Sequence, residues 1–154
     1  TYIMATDNSQ ALDLLDMDFE AIEDVPGFDV PHNGDYRLRL SAEVKKVGDN
    51  QCLEVGYEVM ETLKKNNDAD PDAVPGTKFS QLFCLQGDPE KVKNALGYAK
   101  LLLKPIGEKV GEGNLMVLVR DHLPGMVATA TVKRRADKED PEKFYPAVKN
   151  LMKE

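Results

Sequence analysis

Tryptophan is absent from this 154-residue chain, and aromatic residues make up only 6% of it. A core must therefore be mainly aliphatic, and any stacking done by surface rings rests on very few residues. The two cysteines, Cys52 and Cys84, lack the close spacing of a metal or redox motif. That argues against a disulfide framework and reads both as small core hydrophobes. His32 and His122 are isolated, with no Cys or His at ligand spacing, so zinc is not expected. No apolar run approaches the ~20 residues that span a bilayer, and the basic-then-apolar order of a signal peptide is missing. The expectation is a soluble, intracellular (cytoplasmic) chain with no membrane partner. Met4-Ala5-Thr6-Asp7 reads as its natural start, behind an appended Thr1 to Ile3.

Another absence is local. Residues 1 to 36 contain no Lys or Arg but hold nine of the 27 acids, while all 20 bases follow. The overall charge of −7 thus divides into an acidic front and a slightly basic remainder. Such asymmetry fits an acidic arm joined to a domain that meets polyanions, or an arm that only keeps the chain soluble. Residues 1–33 are read as this arm and 34–154 as one domain. Within the arm, Leu12, Leu15, Phe19 and Ile22 recur at spacings of three and four among carboxylates, which predicts a short amphipathic helix over Asp7 to Glu23.

Catalytic and metal signatures are also missing. Asp68, Asp70 and Asp72 imitate the start of a calcium loop, but Ala73 stands where its glycine should be and Phe79 where its closing Glu should be. Gly111-Glu112-Gly113 lacks the third glycine of a dinucleotide loop, and no phosphate-loop Gly-Lys-Ser/Thr occurs. Asp16 and Asp18 have no convergent partner, and no nucleophile, base and orienting group belong together. The chain is expected to be no enzyme and to need no cofactor or metal.

What is present is strand alternation. Tyr36, Leu38, Leu40, Ala42 and Val44 share one face between Asp35 and Val47, with Arg37, Arg39, Ser41, Glu43 and Lys45 on the other. After Gly48-Asp49-Asn50, Leu53, Val55, Tyr57 and Val59 alternate with Glu54, Gly56 and Glu58. Keeping the apolar faces together sets Val44 opposite Val55 and Lys45 opposite Glu54, a cross-strand ion pair. Lys64 to Pro75 is polar and reads as a mobile loop, and Gly76 to Leu85 as a third strand. Asp88-Pro89-Glu90 starts a helix that should run to about Leu103, burying Val92, Ala95, Leu96, Ala99 and Leu103, with Pro105 and Gly107 beyond its end. Leu115 to Val119 reads as a short helix capped by Asn114 rather than a strand. Val127 to Arg134 and Phe144 to Val148 then flank a charged tip as a terminal hairpin.

Three strands, a main helix and a hairpin match a mainly β fold of the OB type, a five-stranded Greek-key barrel with its helix between strands 3 and 4. The stretch Gly34-Asp35-Tyr36-Arg37-Leu38, the helix after strand 3, and Val132 to Asp140 leading to Tyr145-Pro146-Ala147-Val148-Lys149-Asn150 resemble the bacteriophage OB-fold single-stranded-DNA-binding proteins. The resemblance covers roughly Gly34 to Leu151. It implies a non-catalytic protein of phage DNA replication or recombination that coats single strands. Many such proteins carry their acidic tract at the C-terminus, whereas this chain carries it in front. An OB-like protein-interaction module, with the acidic arm as docking element, is the alternative.

Single-strand binding needs cations along the phosphates and rings for the bases. Candidate phosphate contacts are Arg37, Arg39, Lys46 and Lys78, with Lys133, Arg134, Arg135, Lys143 and Lys149 in the hairpin. Pairing Arg135 with Lys143 places Lys133 opposite Tyr145, Thr131 opposite Ala147 and Thr129 opposite Lys149. Tyr145 then points outward among lysines as a stacking ring, or as an ordinary surface tyrosine. Phe79 is either a stacking ring or, with Phe83 and Leu85, part of the core. Acids interleave with the cations of the tip and partly neutralise them. The partners expected are single-stranded DNA, replication or recombination proteins at the arm, and a second copy in a homodimer.

Overall fold

The computed structural model describes residues 29–154, so the helix expected over Asp7 to Glu23 lies outside the described residues. Strands β1 (Gly34–Val47), β2 (Asn50–Lys65) and β3 (Lys78–Cys84) are followed by helix α1 (Pro89–Val110). A short helix, α2, starts at Leu115–Val117 and continues as a π-helical turn over Leu118–His122. Strands β4 (Val127–Ala136) and β5 (Phe144–Lys153) complete the chain. The five strands form one antiparallel sheet in the order β3-β2-β1-β4-β5. Backbone pairing does not close this sheet. Strands β3 and β5 remain its edges, α1 packs against both, and the Gln81 side-chain amide donates across to the Pro146 carbonyl at 3.5 Å.

Alternation builds the inner face as expected. Tyr36, Leu38, Leu40, Leu53, Val55, Tyr57 and Val59 are all buried, joined by Ala128, Ala130 and Val132 from β4 and by Ala99, Leu103 and Ile106 from α1. Each large aliphatic among them contributes about 1.5–3 kcal/mol on leaving water. The buried phenols have partners: Tyr36 donates to the His32 carbonyl at 2.5 Å, and Tyr57 to Gln81 Oε1 at 2.6 Å. Gln81 thus stands among apolar neighbours because it satisfies Tyr57. Strands of 14 and 16 residues are long. They bend around this core at two register shifts, where Leu63 and Met60 of β2 have no partner on β1.

Two registers differ from expectation. Val44 pairs with Leu53, Ala42 with Val55 and Lys45 with Cys52. The cause is the turn: a two-residue loop, Gly48-Asp49, joins Val47 to Asn50, and Gly48 adopts the left-handed φ of 60° that such loops require. The expected register needed a four-residue loop. In the hairpin of β4 and β5, Arg135 pairs with Tyr145, Lys133 with Ala147 and Thr131 with Lys149. There a longer loop is held by Asp137 N–H donating to the Lys143 carbonyl at 2.9 Å, and by Asp137 and Asp140 carboxylates accepting from Glu139 and Glu142 N–H. Both slips are of two residues, so every side chain keeps its face. Beyond Val148, Asn150 takes a left-handed φ of 56° beside a register shift, which turns Leu151 into the core and leaves Met152 exposed.

Helix α1 also differs. Asp88 caps it and Pro89 opens it as expected, but it runs on through Pro105 to Val110 and ends at Gly111, with a φ of 77°. The carbonyl that Pro105 leaves without a donor belongs to Leu101, a residue 75% exposed, where water can serve it. Ile106 and Gly107, on the extra turn, are buried. The buried stripe is consequently Ala99, Leu102, Leu103, Ile106 and Gly107, and Leu96 is 41% exposed. Asn114 caps α2, accepting from Val117 N–H at 3.0 Å. The polar loop after β2 is tied by Asn66 N–H to the Asn33 carbonyl, by Ala73 N–H to Thr62 Oγ1, and by Lys65 to Asp72. Cys52 is buried, but Cys84 is exposed and so is not a core residue. Among the described residues no helix is long and apolar enough to cross a membrane.

Candidate nucleic-acid interface

The outer face of β1, β2 and β3 is organised by register. Ser41 pairs with Gly56 and Gly56 with Ser80, so three small residues lie in line across three strands. On one side of this line Arg39 faces Glu58 and Glu58 faces Lys78. On the other, Glu43 faces Glu54, with Lys45 one row beyond. The result is a groove of about 600 Å³, floored by Ser41, Gly56 and Ser80 and walled by Arg39, Lys45 and Lys78 together with Glu54 and Glu58. A Cβ on Gly56 would stand 2.3 Å from Ser41 Oγ, so glycine is what keeps the floor low.

The cations of the groove are not equivalent. Lys45 Nζ lies 2.6 Å from Glu54 Oε2, and that hydrogen bond is the main reason its ammonium is pushed above the ordinary lysine range. Arg39 approaches Glu58 at 3.4 Å. Lys78 is exposed and makes no ion pair among the described residues. Arg37, toward β4, is bound to Glu61 and, through Nε at 2.5 Å, to Glu154, so its charge is neutralised where it stands. Lys46 shares the face of Val44 rather than that of Lys45 and lies opposite Gln51, outside the groove.

A second group stands on the outer face of the terminal hairpin. Lys133 and Arg135 of β4 face Ala147 and Tyr145 of β5, and Lys149 follows two residues along. Among the described residues, Lys133, Arg135 and Lys149 make no ion pair. Tyr145 is 45% exposed. Its hydroxyl donates to Asp137 Oδ2 at 2.8 Å, and Lys143 Nζ lies 5.4 Å from its ring centroid. The Asp137 carboxyl is held below the ordinary carboxylate value, first by the Glu139 backbone N–H and then by the Tyr145 hydroxyl. The tip thus presents a positioned ring rather than a loose one.

Two expected contacts have other work. Arg134 points inward: its Nε donates to the Val30 carbonyl at 2.7 Å and to that of Pro31 at 3.2 Å, and its guanidinium lies 4.8 Å from the Phe144 centroid. It clamps the segment leading into β1. Phe79 is 6% exposed and stacks on Tyr57 with centroids 4.9 Å apart, so its ring faces the core and not a base. Conversely, Ser41, Gly56 and Ser80 were not singled out in the sequence, because their alignment exists only once register is known. Among the described residues no cluster of His, Cys, Asp and Glu is arranged to hold a metal. No family model and no curated protein matches this chain.

Proposed function

We propose that this protein is a non-catalytic single-stranded-DNA-binding protein built on an OB-type barrel and serving phage DNA replication or recombination. The observation that carries the reading is the small-residue groove across β1, β2 and β3, with Lys78 exposed on its wall and Lys133, Arg135 and Lys149, which like Lys78 make no ion pair among the described residues, beside an exposed Tyr145. A low floor admits a sugar–phosphate chain, these cations meet its phosphates, and the ring offers a base a stacking face. The strand order β3-β2-β1-β4-β5, the helix between β3 and β4, and the Gln81 bridge toward β5 support the Greek-key barrel form.

Titration of the full chain into labelled oligo-dT, followed by fluorescence anisotropy at rising salt, tests this. Four phosphate contacts give log K against log salt a slope of about −3. Absence of binding at low salt sinks the proposal.

One observation favours a protein-interaction module instead. Helix α1 leaves Tyr98 67% and Leu101 75% exposed. Such a module binds no oligonucleotide, and its partner is lost on substituting Tyr98 and Leu101 by Ser, changes that leave oligonucleotide affinity untouched under the first reading.

A further inference from the structure

Register brings together the only two cysteines of the chain. Cys52 of β2 and Cys84 of β3, 32 residues apart in sequence, are directly opposed in the antiparallel ladder, with their sulfur atoms 3.8 Å apart. Directly opposed residues of such a ladder have Cα atoms roughly 4.5–5.5 Å apart, inside the span a disulfide bridges without moving the backbone. We infer that Cys52 and Cys84 form a redox modification site, which closes a reversible cross-strand disulfide when a low-molecular-weight disulfide oxidises the protein.

The two sulfurs differ in a way that orders the steps. Cys84 is exposed and Cys52 is buried, with its thiol directed at Cys84. The Cys84 thiolate attacks one sulfur of the oxidant; a mixed disulfide forms and one small thiolate leaves. Cys52 then gives its proton to solvent and attacks the Cys84 sulfur. The Cys52–Cys84 bond forms, the mixed disulfide breaks and the second small thiol departs. Two electrons pass from the cysteine pair to the oxidant, which ends as two thiols. Burial, and then the contact with Cys84, pushes the Cys52 thiol up, in keeping with its acting second.

The bond would join the edge strand β3 to β2 at the groove's Lys45 end, since Lys45 is the ladder partner of Cys52 on β1. Its formation does not depend on what the groove binds.

The test uses the full chain, reduced, freed of reductant, diluted and exposed to oxidised glutathione under native conditions. Free thiols should fall from two to none, and the monomer mass by two hydrogen atoms. Peptides containing Cys52 and Cys84 should be recovered linked, and dithiothreitol should reverse the change. The melting temperature should rise by several degrees over the reduced form, because the unfolded chain is then closed into a loop. Cys52→Ser should stop at a glutathione adduct on Cys84. Persistent glutathione on Cys84 in the unsubstituted chain, bonds chiefly between molecules, unreacted thiols, or a lowered melting temperature would each overturn the inference.

Discussion

Tyr145 and Phe79 carry similar rings in opposite circumstances. One stands 45% exposed among cations on the outer face; the other is 6% exposed and stacked on Tyr57. Under the DNA-binding reading, Tyr145→Ala weakens oligo-dT binding by about 1–3 kcal/mol. Phe79→Ala instead lowers folding stability by about 3–5 kcal/mol, because it opens a cavity. Anisotropy titrations and urea melts on the two variants separate these effects, and unchanged affinity in Tyr145→Ala would remove the ring from the interface. A pH dependence follows from Asp137, whose carboxyl is depressed below its ordinary 3.8 by Glu139 N–H and then by the Tyr145 hydroxyl. The stability it contributes is complete above the ordinary value and is lost as pH falls through the depressed one. Carbon-detected NMR titration should place the Asp137 midpoint below 3.8. Tyr145→Phe should raise that midpoint only part of the way, since the backbone bond remains. These roles were half legible in advance: alternation placed Tyr145 outside, but Phe79 shares a face with both apolar residues and Gln81. Only the Tyr57–Gln81 hydrogen bond explains why that polar residue belongs inside.

Elements carry consequences that single residues do not. The groove is a property of three strands in register, so filling its floor should remove function while the sheet survives. Gly56→Val is expected to weaken oligonucleotide binding by at least about 1.4 kcal/mol, or tenfold. Its circular dichroism spectrum should match that of the unsubstituted chain, since the nearest obstacle is the Ser41 hydroxyl on an exposed side chain. Unchanged affinity would place the strand elsewhere. Helix α1 is an element whose interior holds a proline, and sequence punctuation at Pro105 and Gly107 argued for an earlier end. Burial of Ile106 favours the longer helix, and the orphan carbonyl belongs to Leu101, a residue open to water. Pro105→Ala, which restores a donor to Leu101, should therefore stabilise the protein by no more than about 1 kcal/mol, the net worth of one exposed hydrogen bond, less what the freer unfolded chain recovers. A thermal melt shifted downward would show that the proline ring itself is needed for packing.

At the scale of the whole molecule, charge is segregated. Seven of the 27 acids lie in residues 1 to 28, leaving 20 acids and 20 bases in residues 29–154. The first described residue, Asp29, donates its N–H to the Lys78 carbonyl at 3.0 Å, so the acidic segment joins the domain at the wall of the groove. Under the DNA-binding reading, removing residues 1 to 28 takes away a competing polyanion. Oligo-dT affinity should then rise, most at low salt where screening is weakest. Equal or weaker binding by the shortened chain would mean that the segment does not face the groove.

By itself the sequence determined the order and type of the elements described over residues 29–154, which faces the strands bury, and where the charge lies, but not where α1 and β5 end. These are consequences of local periodicity, of caps such as Asp88 and Asn114, and of turn residues acting within a few positions. Tertiary structure alone decided the registers, the line of Ser41, Gly56 and Ser80, the inward clamp of Arg134, and the meeting of Cys52 with Cys84. The physical reason is the two-residue period of a strand. It assigns a face, but a slip of two residues preserves every face and still changes every neighbour.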